Sequence, residues 1–219
     1  MKVNTYSQTS FKKTSEYNKN TSVLSAKSFD ETDSRIDFMV IGTVSEIQFD
    51  QLRSTLEKTR VLNYFKLNLD PFCIDTFCKI LNLLPTISNL KTLDLSDNLI
   101  NDNHLKIITE SIRIPLPHIE KLYLDKNQFG EDNFQSALIF VKKFPRLKEL
   151  SVTENNIRSI NNEFISYIKQ SCINQIQINY GNSINDSTYK EISNAIKAPK
   201  PKRTLHILDL GSVSLESNE

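Results

Sequence analysis

The chain has 219 residues, room for one domain with a sizeable core and a polar extension beside it. Its 27 Lys and Arg stand against 26 Asp and Glu, leaving a formal charge of +1. That balance excludes a global field suited to nucleic acid or to an acidic membrane surface.

Residues 1–34 are dominated by Ser, Thr, Asn and Lys, as in "TYSQTSFKKTSEYNKNTSVLSAKSFDETDS". Neither the helical nor the strand period survives there, and the sparse apolar side chains do not offset the entropy of ordering. A disordered polar tail is therefore expected over 1–34, and a folded domain over 35–219. No apolar h-region opens the chain, and no apolar run reaches the roughly 18 residues of a membrane span. A cytoplasmic setting is expected. Cys73, Cys78 and Cys172 are too few and too scattered for a disulfide framework, and read as small buried hydrophobes.

From Ile36 onward the chain repeats, beginning with a degenerate strand in "IDFMVIGTV". The rule is an apolar residue, then apolar at +3 and +5, a polar amide at +8 and apolar at +10. Leu90, Leu93, Leu95, Asn98 and Ile100 satisfy it in "LKTLDLSDNLI". Ile119, Leu122, Leu124, Asn127 and Phe129 satisfy it again, as do Leu147, Leu150, Val152, Asn155 and Ile157. One step earlier, Leu62, Phe65, Leu67, Asp70 and Phe72 fit with Asp in the amide slot. "INQIQINYGNSI" matches from Ile173 with the slot slipped to Gly181–Asn182, and "LHILDL" closes the series after the basic loop "KAPKPKR". Drift at both ends is what terminal, capping repeats show.

Each unit also has a second half with helical phase. Phe77, Ile80 and Leu84 recur as Leu105, Ile108 and Ile112, and again as Phe134, Ala137 and Val141. Phe49, Leu52 and Leu56 form the same set one unit earlier. Spacings of three and four place each set on one helix face. Each unit is thus a short strand, a turn and a helix of about ten residues.

These spacings resemble the leucine-rich-repeat family, pattern LxxLxLxxNxL, in a longer subtype similar to ribonuclease inhibitor. The resemblance implies an α/β solenoid of five to seven repeats, with a curved parallel sheet inside and helices outside. It implies a sharp buried turn after every strand, whose backbone groups would cost about 1–3 kcal/mol each if left unpaired. An Asn side chain supplies two donors and an acceptor at short reach. Asn98, Asn127 and Asn155 are therefore expected to stack as a structural ladder rather than to act on a ligand.

Chemistry is hard to assemble from the rest. His104, His118 and His206 lie in different repeats without ligand spacing, so no metal and no cofactor are expected. No phosphate loop or nucleophile motif occurs, and the reading is non-enzymatic. What remains is the inner face of the sheet, where positions +2, +4, +6 and +7 are expected to point outward. Candidate partner-binding residues there are Tyr64, Lys66, Asp94, Lys121, Tyr123, Asp125, Glu149, Ser151, Gln177 and Tyr180. Tyrosines among mixed charges fit a protein partner better than nucleic acid. Six strands at about 4.8 Å, four residues deep at about 3.3 Å, project roughly 300 Å². A stable interface needs roughly 800 Å² per partner, so adjoining loops must join in.

The expected function is a protein-binding module. Its repeat, composition and "SVSLESNE" end resemble those of secreted bacterial effectors acting in a host cytosol. GTPase-activating and actin-capping leucine-rich-repeat proteins of eukaryotes are the alternative resemblance. The chain is expected to be a monomer, with Val213 and Leu215 folding back to cap the edge left by "LHILDL".

Overall fold

The structure is a computed structural model that describes residues 23–27, 35–41, 49–50, 53–54, 56, 62–69, 74–178 and 180–197. The "KAPKPKR" loop beyond Lys197, the "LHILDL" strand, the Val213–Leu215 cap, Cys73, His206 and the Asp70 and Phe72 slots lie outside them.

Alternation and helical phase resolve into one repeating path. Strands β1 (Val23–Lys27), β2 (Arg35–Ile41) and β3 (Tyr64–Leu69) come first. Helix α1 (Ile74–Leu81) follows, then β4 (Thr92–Asp94) and α2 (Asp102–Ser111). Next come β5 (Lys121–Tyr123), α3 (Gln135–Val141), β6 (Glu149–Ser151), α4 (Asn162–Gln170), β7 (Gln175–Gln177) and α5 (Asp186–Lys197). The described strands form one sheet in chain order, β2 to β7 all parallel. A parallel neighbour requires a crossover, and the helix of each repeat is that crossover. This is a leucine-rich-repeat solenoid.

The expected tail is corrected over five residues. Val23–Lys27 form β1, antiparallel to β2, with Val23 opposite Ile41 and Lys27 opposite Asp37. "VLSAK" is short and half polar, so its own pattern carries no strand signal; the open edge of β2 supplies its partner.

The core is one continuous cluster in which the strand pairs Phe65/Leu67, Leu93/Leu95, Leu122/Leu124 and Leu150/Val152 meet the helix residues Phe77, Ile80, Leu105, Ile108, Ala137 and Val141. Each fully buried Leu, Ile or Phe contributes roughly 1.5–3 kcal/mol. Phe134 and Phe164, from successive repeats, meet edge to face at 4.6 Å. Cys78 is buried as expected, and burial raises its thiol pKa; Cys172 is exposed, contrary to the reading of all three as core.

Strands β4 to β7 are three residues long, and backbone bonds between repeats run on past them to +7, where the Asp97 N–H donates to the Asp125 carbonyl at 2.9 Å and the Lys126 N–H to the Thr153 carbonyl at 3.0 Å. The turn then ends the pairing. Asp97, Lys126 and Glu154, each one residue before a ladder asparagine, have φ of 63°, 54° and 51°. The left-handed region ends a strand, and it costs a non-glycine residue about 1–2 kcal/mol. Gly181 takes the same place at φ 73° without that cost, ahead of Asn182.

Candidate functional site

Strand register brings the predicted inner-face residues into two rows. Lys66, Asp94, Tyr123, Ser151 and Gln177 are successive Cα partners across β3 to β7. Tyr64, Thr92, Lys121, Glu149 and Gln175 form the row beside them. Asp125 follows β5, and Tyr180 lies beyond β7 in the turn that carries Gly181.

Most of these side chains are bonded to one another. The Tyr64 hydroxyl donates to Asp94 Oδ2, the Ser96 N–H donates to Asp94 Oδ1 at 2.9 Å, and Lys66 Nζ lies 3.8 Å from Oδ2. Asp125 Oδ1 accepts from Ser151 Oγ at 2.5 Å and from the Thr153 N–H and hydroxyl at 2.7 and 2.8 Å. Ser151 Oγ also reaches Gln177 Oε1 at 3.2 Å. Glu149 takes the Tyr123 hydroxyl at 2.9 Å and Lys121 Nζ at 2.8 Å. Burial first, then the Glu149 carboxylate, pushes the Tyr123 phenol well above its ordinary pKa, so it remains a donor.

Two candidates are therefore not open to a partner. Asp94 is 6% exposed and Ser151 1%, covered by the longer side chains around them. Lys121 is exposed, and Tyr64, Lys66, Tyr123, Asp125, Glu149 and Gln177 are half-buried. Tyr180 is 71% exposed.

The ladder asparagines are buried, each bonding its own turn and the turn of the preceding repeat. Asn98 Nδ2 donates to the carbonyls of Leu67 and Leu95, both at 2.8 Å, and of Ser96 at 3.0 Å. Asn127 Nδ2 donates to Leu95, Leu124 and Asp125 at 3.0, 2.9 and 3.1 Å. Its Oδ1 accepts from the N–H groups of Asn98 and Ile100 at 3.2 and 2.9 Å. Asn155 Nδ2 donates to Leu124, Val152 and Thr153. The slipped slot resolves onto Asn182, whose Oδ1 accepts from Asn155 N and Ile157 N. Sequence reading left this rung between Gly181 and Asn182; the left-handed φ that glycine favours marks the amide one place later.

Of the histidines, His104 closes a capping box with Asn101 at the start of α2. His118 is half-buried near the Leu84 backbone, and its Nε2 is buried without a partner among the described residues. Among the described residues no group of three His, Cys, Asp or Glu is placed to hold a metal ion. No described helix is long and apolar enough to cross a membrane.

The fold and its bonded, open sheet face define the class: a leucine-rich-repeat solenoid presenting a polar inner surface. No family model matches the chain. Among solved structures it is similar to leiomodin-1 actin-binding site 2, over 70% of this chain and 89% of that one, with a TM-score of 0.50 and 14% identity. It is also similar to an internalin C2 from Listeria monocytogenes, over 64% of this chain and 51% of that one, with a TM-score of 0.38 and 19% identity. At 14% identity the first likeness is one of fold alone.

Proposed function

We propose that the chain is a non-catalytic docking module that takes a partner protein on its inner sheet face and the turn row bordering it. The observation that carries the reading is Tyr180, 71% exposed at the end of a surface on which Tyr64, Asp94, Tyr123, Asp125, Glu149 and Ser151 are held by bonds to one another or to their neighbours. Aromatic anchors beside a preorganised polar surface make good hot spots, because little side-chain entropy is lost on binding. Among the described residues Asp97, Lys121, Lys126 and Tyr180 are exposed on that surface, and Glu154, half-buried, lies between the last two. A host-directed effector of the long-repeat subtype fits the same surface; its support is the 28–29-residue repeat and the Asn- and Lys-rich composition. Actin is the first ligand to test, since leiomodin-1 actin-binding site 2 shares the fold.

Photo-crosslinking residues introduced at Lys121 and Tyr180, and as controls at Lys106 and Lys169 on the helices, test the reading in lysate and with purified actin. Cross-links confined to the sheet-face positions are expected. Equal labelling at the helix positions would defeat it.

A further inference from the structure

The edge of the arc where helices return to strands carries a second surface. Between α2 and β5 the chain runs Arg113, Ile114, Pro115, Leu116, Pro117, His118. Leu116 is fully buried. Its N–H donates to the Lys143 carbonyl at 2.8 Å, and Lys143 Nζ returns to the Ile112 carbonyl at 2.8 Å. The loop is thus fastened to the next repeat at both of its ends. Yet Ile114 is 62% exposed, more than any other aliphatic among the exposed large hydrophobics, and Arg113, Pro115 and Pro117 are exposed beside it.

The next repeat extends this surface. Ile119 N–H donates to the Leu116 carbonyl and Leu147 N–H to the Phe144 carbonyl, so Pro117 and Pro145 occupy equivalent places in successive repeats. Exposed Arg146 follows Pro145. Around them the lysines are spoken for: Lys91 and Lys148 pair with Glu120, and Lys142 with Glu163. Arg113 and Arg146 have no carboxylate partner among the described residues.

We infer that this edge docks an acidic peptide segment of a partner, one bearing an aliphatic or aromatic residue between its carboxylates. A single exposed isoleucine is ordinary on a protein surface. Here it sits on a pinned, proline-braced loop, with exposed Arg113 next to it in the chain and exposed Arg146 in the place that His118 takes one repeat earlier, a complementary surface for carboxylates around an apolar side chain. Guanidinium binds carboxylate in a two-pronged geometry that lysine cannot offer. The prolines lack N–H groups, so the loop offers side-chain contacts rather than strand addition, and its rigidity limits the entropy lost on binding. The site is separate from the inner sheet face and does not depend on it.

A displayed library of short random peptides selected on the full chain tests the assignment, followed by fluorescence anisotropy of the enriched peptides. Enriched sequences should be net acidic with at least one Leu, Ile or Phe. Their affinity should fall at least about tenfold in Ile114→Asp and in Arg113→Glu with Arg146→Glu, the loss expected of a hot spot. Affinity should weaken with salt and be unchanged in Tyr180→Ala. Neutral or basic winners, no saturable binding, or equal binding to the edge variants would overturn the proposal. Phosphatidylserine vesicles that bind the chain but not these variants, with no peptide selected, would assign the edge to an anionic lipid surface instead. Circular dichroism melts confirm that each variant folds, and Ile114→Ser replaces any that does not.

Discussion

Asn127 is used at both ends of its amide: three carbonyls accept from Nδ2 and two N–H groups donate to Oδ1. Asn127→Ala leaves all of these buried partners without it, a loss of about 1–3 kcal/mol or more in urea unfolding. Asn155 makes the three donations, but its Oδ1 is buried with no partner among the described residues. Asn155→Ala should therefore cost measurably less than Asn127→Ala, although both sit in the same repeat position; equal losses would contradict the described ladder. His118 gives a second residue-scale prediction. Burial lowers its pKa, opposed by a hydrogen bond to the Leu84 backbone and aided by Lys91. The unfolded chain then binds the proton more readily, so stability is complete above the ordinary histidine pKa and falls as pH drops through it toward the depressed value. Thermal melts across that range should show the loss, and His118→Gln should flatten it.

At the scale of elements, neighbouring strands are joined by side chains as well as by backbone. Glu149 on β6 holds both Lys121 and Tyr123 of β5. Tyr123→Phe keeps the ring and deletes one bond, so it should cost about 0.5–1.5 kcal/mol, whereas Tyr180→Ala, on an exposed turn, should stay within about 0.5 kcal/mol. Chemical unfolding of the two variants checks the ranking. The turn after β5 is tighter still. Gly130 has φ 112°, and a Cβ there would lie 2.6 Å from Ile157 Cγ1 and 2.9 Å from Ile157 Cα. Both the backbone and the neighbouring repeat require glycine, and Gly130→Ala should destabilise by about 1–3 kcal/mol in the same measurement.

For the whole molecule, the ends decide whether the stack stays closed. Parallel strands each satisfy the next, and β1 pairs with the outer edge of β2. Deleting residues 1–28 removes that partner and leaves the β2 edge open, the arrangement that invites pairing between chains. Sedimentation velocity should then show concentration-dependent association beyond that of the full chain. A truncated chain that sediments as the full chain does would mean that β1 is dispensable as a cap.

The repeat was legible in the sequence because it is a local statement. Leu93 and Leu95, or Leu122 and Leu124, two residues apart, must share a strand face, and Leu105 and Ile108, three apart, must share a helix face. The same spacing marked the asparagine slot, and the resemblance to leucine-rich repeats supplied the buried turn that needs its amide. What the sequence did not carry was which outward residues are free. Tyr64 meets Asp94 across 30 residues, and Ser151 meets Asp125 across 26; these bonds form only when strand register fixes both side chains. So Asp94 and Ser151 read as surface and are buried, while Tyr180 stays open because β7 ends before it in the turn. The strand at Val23–Lys27 was illegible for the same reason: its composition gives no period, and only the unpaired edge of β2 in the assembled stack supplies its partner. Periodicity fixes which side chains face inward, and long-range register decides what the outward ones touch.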